Sequence, residues 1–590
     1  MKKIFVCFFI IISPLFLNCE EKYEIEVTGK KIPLNFDSRK NVIVIEGEAL
    51  KQFPSLNLSQ LIGFISNMNF INRGLFQADP QVQGFNQEQF ALMVNGMYVN
   101  NSQTGHHNFL LPFDIEQIER IEVLKGGHSS FFKSSGAGGI INIITTKKDK
   151  TLKIQKSSFD TYKASLNLNL KYFSFSSGIQ STDGYTEGID GKKYFIQAGL
   201  QIPFKKSYVD FWSGWTLSKF GAYNFYAPYP SFEELEKILG ILKWNTELKK
   251  NTSLLFKVSS QYSNDQFNLY RENPDIYSNH HKTLQNSIEA RIKNTGRSFN
   301  SFFGISAFSD SITSNGIRNA QESEALGIHN RNFFSIFGEV NGDKKGYFFS
   351  SGLRMTLGSQ NHLSGHFLAG KFLRKNLKIS SSVNRSIRIP TYTELYYNDP
   401  AHSSNEGLIP ESTWGYDISL EYSLNSYNLS TRLFLNHSKN LIDWVRDEDE
   451  NLWESKNIKK GDYYGIDLEL SSISEKSMIQ FLYTFQKTNF DNNPFLKSLK
   501  YHYYFPEHSL SLVYMKKVKF LSFYSALKIE NELEGRKIRY YLNVKIWKEM
   551  GKATFFFEVL NVFNHRTEKI PGLLEPPRSY GAGLIYKFDS

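Results

Sequence analysis

At 590 residues the chain is too long for one ordinary compact core, so several domains or one large closed architecture are expected. Lys and Arg number 69 against 58 Asp and Glu, a net charge of +11 spread thinly with no long basic run, which argues against a nucleic-acid footprint built on clustered cations. Both cysteines, Cys7 and Cys19, precede residue 20, so the rest of the chain can form neither a structural disulfide nor a CxxC metal site.

The chain opens as an export signal. Lys2 and Lys3 precede an apolar run from Ile4 to Leu17, broken by Ser13 and Pro14 and too short to span a bilayer comfortably. Residues 1–18 are therefore expected to be a signal peptide. Leu15 to Cys19 is similar to a relaxed lipoprotein signal, which makes Cys19 a candidate for acylation; the alternative is an ordinary signal with an incidental cysteine. Beyond residue 20 no apolar run approaches the length of a membrane helix. An exported chain of this kind is periplasmic, secreted or an outer-membrane barrel.

Residues from about 24 to 147 read as a small mixed α/β region. Asn41–Glu46 is a short strand. Leu58, Leu61, Ile62 and Ile65 keep helical spacing. Phe90–Val94 is a strand ending at the turn dipeptide Asn95-Gly96. Ile115 and Ile118 predict a helical turn leading into a strand at Ile121–Leu124, and Ile140–Ile144 is another strand. From about 150 onward the pattern changes to long alternating strands. Tyr416, Ile418, Leu420 and Tyr422 alternate with Asp417, Ser419, Glu421 and Ser423; a turn at Asn425-Ser426 follows, and Tyr427, Leu429, Thr431, Leu433 and Leu435 resume the alternation. Ala164–Leu170 and Tyr580–Phe588 repeat it. One polar face per strand fits a soluble sandwich or a membrane barrel. Export, the 50 Phe and 32 Tyr that could furnish interfacial girdles, and the length of the pattern favour the barrel. At roughly 20 residues per strand and connection it supplies about 22 strands, the size of plugged transporters.

Two motifs then carry a specific resemblance. Ile118-Glu119-Arg120-Ile121-Glu122-Val123-Leu124-Lys125-Gly126, followed by Ser129-Ser130 and by Gly136-Ala137-Gly138-Gly139-Ile140-Ile141-Asn142-Ile143-Ile144-Thr145, closely resembles the plug signature of TonB-dependent receptors. Val82–Gly84 and Ala91–Gly96 are similar to the family's upstream plug elements, and Glu24-Ile25-Glu26-Val27-Thr28 to its TonB box. In the barrel region, Gly221–Tyr226, Arg388–Tyr397, Leu408 with Pro410-Glu411, and Asn561–Asn564 resemble the family's barrel segments; Asp589 and Ser590 follow Phe588 where the family ends on its aromatic.

The resemblance implies a mainly β fold, an antiparallel transmembrane β-barrel of about 22 strands with an N-terminal α/β plug domain in its lumen. Its expected divisions are a periplasmic segment with the TonB box over 19–34, the plug over 35–148 and the barrel over 149–590. It implies an outer-membrane location and import of a scarce nutrient, foremost a ferric siderophore, with cobalamin or haem as alternatives. A surface adhesin or phage receptor without transport is the alternative from another class. Implied partners are TonB with its inner-membrane motor, the small ligand and outer-membrane lipid, with a monomer and no nucleic acid. No cofactor is implied.

The glycines Gly126, Gly136, Gly138 and Gly139 permit close backbone approach. Glu119, Arg120 and Glu122 are expected to supply polar contacts to the wet barrel wall, with few apolar contacts between plug and barrel, and Lys125 and Asn142 complete the plug motif. No GxSxG elbow, HExxH or Walker loop is present, so no enzyme is expected. Phe70–Gln81 and Tyr98–Asn108 are expected apical plug loops, which makes Arg73, Tyr98, His106 and His107 candidate ligand contacts, with His402 between two family segments. His106-His107 and His280-His281 offer haem or metal nitrogens. Asp183, Glu187 and Asp190 offer oxygen ligands for Ca²⁺, but their spacing is loose and no metal site is assigned.

Overall fold

In lipid every backbone N–H and C=O must be satisfied within the protein, so alternating strands can cross only as a closed sheet. The computed structural model describes residues 42–54, 57–126, 136–145, 150–226, 228–446, 452–474, 476–489, 500, 505–531, 538–570 and 572–589, within one compact unit spanning Ser38–Ser590. The signal segment, Cys19, the Glu24–Thr28 box and Ser129-Ser130 lie outside the described residues. From Thr151 to Lys587 the chain forms a closed antiparallel barrel of 22 strands, sealed where Ser579–Lys587 pairs with Thr151–Ser157. The two-residue strand His402–Ser403 adds a parallel pairing to Trp453 and Glu454.

The hairpin read from sequence shows which face turns outward. In the strand Glu411–Leu424, Thr413, Asp417 and Ser419 are buried, whereas Trp414, Tyr416, Ile418 and Leu420 are exposed. Its partner Tyr427–Val445 buries Arg432 and exposes Leu429, Leu433 and Leu435. Apolar side chains out and polar side chains in is the reverse of a soluble sheet and is the pattern of a lipid-facing barrel. No described helix is long and apolar enough to cross a membrane.

Inside sits a five-stranded sheet in the order Val42–Glu46, Ile118–Lys125, Gly139–Thr145, Phe90–Val94, Met97–Tyr98, with Phe90–Val94 parallel to Gly139–Thr145. The helix Leu58–Ser66 starts at Asn57, whose side chain accepts from the Gln60 N–H at 3.0 Å, and buries Leu61, Ile62 and Ile65. The expected helical turn is a single 3₁₀ turn, Ile115–Gln117. The segment 70–81 expected to be a loop is largely a hairpin, Asn69–Arg73 with Gln77–Gln81.

This domain touches the wall around the circumference. Lys193 donates to the Phe113 carbonyl at 3.0 Å, Gln103 to Asp265 at 2.7 Å, Gln83 to Asp467 at 3.0 Å, Ser511 to the Phe64 carbonyl at 2.7 Å and Asn543 to the Pro54 carbonyl at 2.9 Å. Lys528 donates to the carbonyls of Gly63 and Met68 at the helix C-terminus, where a cation also complements the dipole.

The expectation of few apolar contacts is corrected here. One buried apolar cluster joins Phe53, Leu61 and Phe64 of the inner domain to Trp212, Met478, Val513, Met515, Tyr524 and Trp547 of the wall. The Phe53 and Tyr524 rings meet edge to face at 5.1 Å, and the Tyr524 hydroxyl donates to the Ala49 carbonyl at 3.0 Å. A polar lumen leaves the desolvation cost of each group to be offset singly, whereas a shared apolar patch contributes through area alone.

The glycine-rich turn has a steric reason. Gly139 has φ +127°, and a Cβ there would collide with the Leu124 carbonyl of the neighbouring strand. Gly84 has φ +86°, and a Cβ there would fall inside the Tyr463 ring of the wall.

Replacing Tyr524 with Ala removes the ring and the hydroxyl together, a loss of about 3–5 kcal/mol by analogy with other large buried aromatics. The expected outcome is an inner domain that trypsin cleaves faster in detergent, while the barrel keeps its heat-modifiable migration on gels.

Candidate ligand vestibule and plug-to-wall contacts

The two rims differ. Connections 170–172, 204–206, 250–251, 296–298, 345–346, 375–376 and 425–426 at one end are tight turns. At the other end 183–190, 222–231, 269–276, 389–410 and 561–578 are longer, alongside the short connections 158–160, 319–320 and 359–361. Outer-membrane barrels carry short turns on the periplasmic side and long loops outside. The hairpin Asn69–Gln81 and the segment 98–108 lie under the long loops: Gln77 donates to the Tyr226 hydroxyl at 2.8 Å, and the backbone N–H groups of Tyr392 and Thr393 donate to the carbonyls of Ser102 and Gln103 at 2.9 and 3.1 Å.

The loop 389–410 is built around a buried cation. Arg388 donates to both carboxylate oxygens of Glu394, at 2.8 and 3.0 Å, and to Glu411 at 2.5 Å. Glu394 also closes a capping box with Thr391 that starts the short helix Tyr392–Tyr396. Gln89 of the inner domain donates to Glu411 at 3.0 Å, so one cluster holds loop, strand and plug together.

Of the expected ligand contacts, Arg73, His106 and His107 are buried. Arg73 and His106 both pair with Asp79. Burial opposes ionisation of Asp79, yet Arg73 and His106 hold its carboxyl below the usual range. Burial, with the Arg73 charge, lowers His106 even beside Asp79. His107 lies 3.7 Å from Glu233 and 3.8 Å from Asp265; burial opposes its charge, but these two carboxylates raise its pKa. Tyr98 is half-buried and borders a cavity shared with Glu88, Asp310, Arg331, Arg354 and His362.

His402 is held at both nitrogens, 2.9 Å from Asp399 and 2.8 Å from Lys500. A protonated Lys500 can only donate, so Nε2 accepts and Nδ1–H donates to Asp399, which selects the neutral tautomer. Burial lowers His402 and brings Lys500 down to about 8. Tyr397 donates to Asp399 at 2.9 Å and shares a 2.8 Å hydrogen bond with Tyr277. The five candidates therefore do not converge on one site. His280 and His281 point to opposite faces of their strand, 2.6 Å from Asn264 and from Ser314 respectively. Asp190 of the acidic loop is paired with Arg271 at 2.6 and 2.9 Å.

Among the motif residues, Arg120 donates to Glu122 at 2.7 Å and Asn142 to the other Glu122 oxygen at 2.7 Å, across the register pair Glu122–Asn142. These bonds lie within the plug sheet, whereas the sequence pattern predicts Arg120 and Glu122 at the wall. Glu119 is half-buried. Lys125 makes the wall contact instead, 3.5 Å from Asp467, beside Arg432, which binds Asp417 at 2.6 Å and Asp467 at 3.1 Å. Gly126 and Gly136 take positive φ, and Gly138 packs on Phe85 and Phe90.

Sequence reasoning missed the cation-over-ring pairs near the long-loop rim. Arg318 lies 3.5 Å from the Tyr277 ring centre, Arg331 4.1 Å from Tyr392, and Arg446 4.7 Å from Trp453. The His329 and Tyr396 rings stack at 3.5 Å and 5°. The partners come from separate strands and loops, so no spacing signal marks them.

A family model described as TonB-dependent Receptor Plug Domain matches residues 35–140, and one described as TonB dependent receptor-like, beta-barrel, matches residues 145–553. The chain belongs to the TonB-dependent receptor family. It is an outer-membrane barrel receptor, and the family consists of receptors and transporters. The receptor is similar to the Vitamin B12 transporter BtuB of Photobacterium profundum, 22% identical over 470 residues that cover 73% of each chain. It also matches the protein of that name in Vibrio vulnificus, 32% identical over 104 residues, 18% of this chain and 15% of the other. Its fold is shared with the copper transporter OprC (TM-score 0.79, 13% identity, covering 93% of this chain and 98% of that one). The ferric yersiniabactin uptake receptor FyuA from Yersinia pestis matches at TM-score 0.76 and 13% identity, covering 94% and 98%.

Two outcomes follow from the buried charges. Arg388→Ala leaves Glu394 and Glu411 facing each other without a cation, a loss of about 3–5 kcal/mol; limited proteolysis should then cut within 389–410. Glu88, which accepts the Gly105 N–H at 2.7 Å, is pushed up to about 8 by burial and by the Glu394 charge. The folded state thus holds a proton that the unfolded chain releases above about pH 4.5, and stability falls as pH rises from there to about 8. Glu88→Gln should flatten the dependence of Tm on pH across that window and exceed the wild-type Tm at its alkaline end.

Proposed function

We propose that this receptor imports an anionic metal chelate carrying aromatic rings, of the ferric-siderophore class, by TonB-driven transport. The observation that carries the reading is a pair of cations stacked on rings near the long-loop rim, half-buried Arg318 on Tyr277 and exposed Arg446 on Trp453, while the largely buried pair of Arg331 and Tyr392, tied to Asp310, braces the loop beneath them. Guanidinium groups suit the carboxylate and phenolate oxygens of a chelate, and the rings suit its planar groups. Ligand seated there meets the loop 389–410, whose backbone is bonded to the plug apex at Ser102 and Gln103. That contact gives a bound ligand a means to shift the plug's conformational population. Glu24–Thr28 serves as the strand that the periplasmic partner TonB captures by β-addition. In this scheme Arg73, His106 and His107 act beneath the ligand by setting the plug apex, and Tyr98 borders the adjoining cavity. Acylation of Cys19 would tether the box near the inner leaflet.

Cobalamin import is the second reading, favoured by the two curated relatives named vitamin B12 transporters. Haem ligation by His402 would require breaking both of its present bonds.

Growth and radiolabel uptake decide among these. A deletion strain should lose growth on a ferric catecholate as iron source, and removal of residues 24–28 should stop uptake while leaving surface binding intact. Dependence on cobalamin alone would establish the second reading. Surface attachment with no uptake defect in either assay would make the protein an adhesin.

A further inference from the structure

The thinly spread positive charge of the sequence is gathered by the fold. Consecutive short turns, from 170–172 to 375–376, each present an exposed cation: Lys171, Lys205, Lys250, Arg297, Lys345 and Lys375. The series continues round the barrel at Lys476, Lys519 and Lys552, and among the described turns of this rim only 425–426 lacks one. Acidic groups at this rim are fewer, and two of them are paired, Glu549 with Lys517 at 2.7 Å and Asp589 with Lys552. The opposite rim is not basic: the loop 183–190 holds Asp183, Glu187 and Asp190, and the loop 269–276 holds Glu272 and Asp275 beside Arg271.

Large exposed rings share the basic rim. Tyr172 is 44% exposed, Phe204 56%, Tyr347 57% and Phe520 80%. Lys171 lies 5.0 Å from the Tyr172 ring centre and Lys371 4.6 Å from that of Tyr347. These rings continue the outward apolar face of the strands. They mark the boundary between acyl chains and headgroups, with lysine stems able to reach the phosphate level just beyond.

We propose that the short-turn rim is a ring-shaped binding surface for anionic phospholipid headgroups of the inner leaflet. A docked periplasmic protein would need a local patch on the end of the barrel. Here the cations encircle it and alternate with rings that face lipid, so lipid is the occupant that meets them all. Each cation near an anionic bilayer surface adds modest attraction that salt screens, and the sum over the ring selects phosphatidylglycerol-like lipids over zwitterionic ones. The inference depends on the membrane location of the barrel and is independent of the imported substrate.

The test reconstitutes the full-length receptor in phosphatidylcholine vesicles containing a minor fraction of spin-labelled phosphatidylglycerol or spin-labelled phosphatidylcholine, and measures the relative association of each label with the protein. The wild type should favour phosphatidylglycerol at least about threefold at low salt, and lose the preference at high salt. The variant K171Q/K205Q/K250Q/K345Q/K375Q/K519Q should lose most of the preference, the matching Lys→Arg variant should keep it, and K192Q/K219Q at the opposite rim should leave it unchanged. Equal association of both labels with the wild type overturns the proposal, even if the multiple variant does not fold. So does an undiminished preference in a folded Lys→Gln variant.

Discussion

Hydrocarbon offers no partner for a backbone amide, and that constraint orders the rest of the molecule. The sheet must close, because an open edge in lipid would leave a row of donors and acceptors unsatisfied. Once it closes, each strand has one face in lipid and one in a lumen. The apolar residues of Glu411–Leu424 then point outward and Asp417 and Ser419 point inward. A lumen lined this way is a polar cavity, and whatever fills it must answer its hydrogen-bonding groups.

The plug answers them in two ways. Over part of the interface it supplies backbone carbonyls and amide side chains, as at Phe64, Phe113, Pro54 and Gln103. Elsewhere it shares an apolar cluster with Tyr524, Trp547, Met478 and Met515. The second mode explains how a small domain with a modest core stays seated, since it borrows apolar area from the wall. The first keeps the interface wettable, which on the proposed import mechanism suits a domain that yields a path.

The long-loop side is closed by charge. Arg388 between Glu394 and Glu411, and Asp79 between Arg73 and His106, are buried clusters in which every member depends on its neighbours. Such clusters contribute little to net stability compared with apolar packing, but they tolerate only one arrangement. They make the plug apex and the loop 389–410 a single mechanical unit. Of the histidines that looked available in the sequence, His106 is taken up by Asp79, His107 lies beside Glu233 and Asp265, His280 and His281 bond Asn264 and Ser314, and His402 sits in the Asp399–His402–Lys500 chain.

By itself the sequence determined the local grammar: the period-two alternation of Tyr416–Leu435, the helical spacing at Leu58–Ile65, and glycines at positions such as Gly139 where φ is positive. These features depend on near neighbours along the chain, so they are legible without the fold. The plug motifs were legible for the same reason, being contiguous. Tertiary structure alone decided the rest. Whether Glu122 faced Asn142 or the wall depended on strand register, and whether Arg73 met a ligand or Asp79 depended on how the apex packed. The shared core of Phe53 and Tyr524 joins residues far apart in sequence. Barrel closure brought lysines that stand one turn apart, with two long strands between them, onto a single rim. A linear reading sees only their thin spacing, because the distance that matters for charge is measured through space.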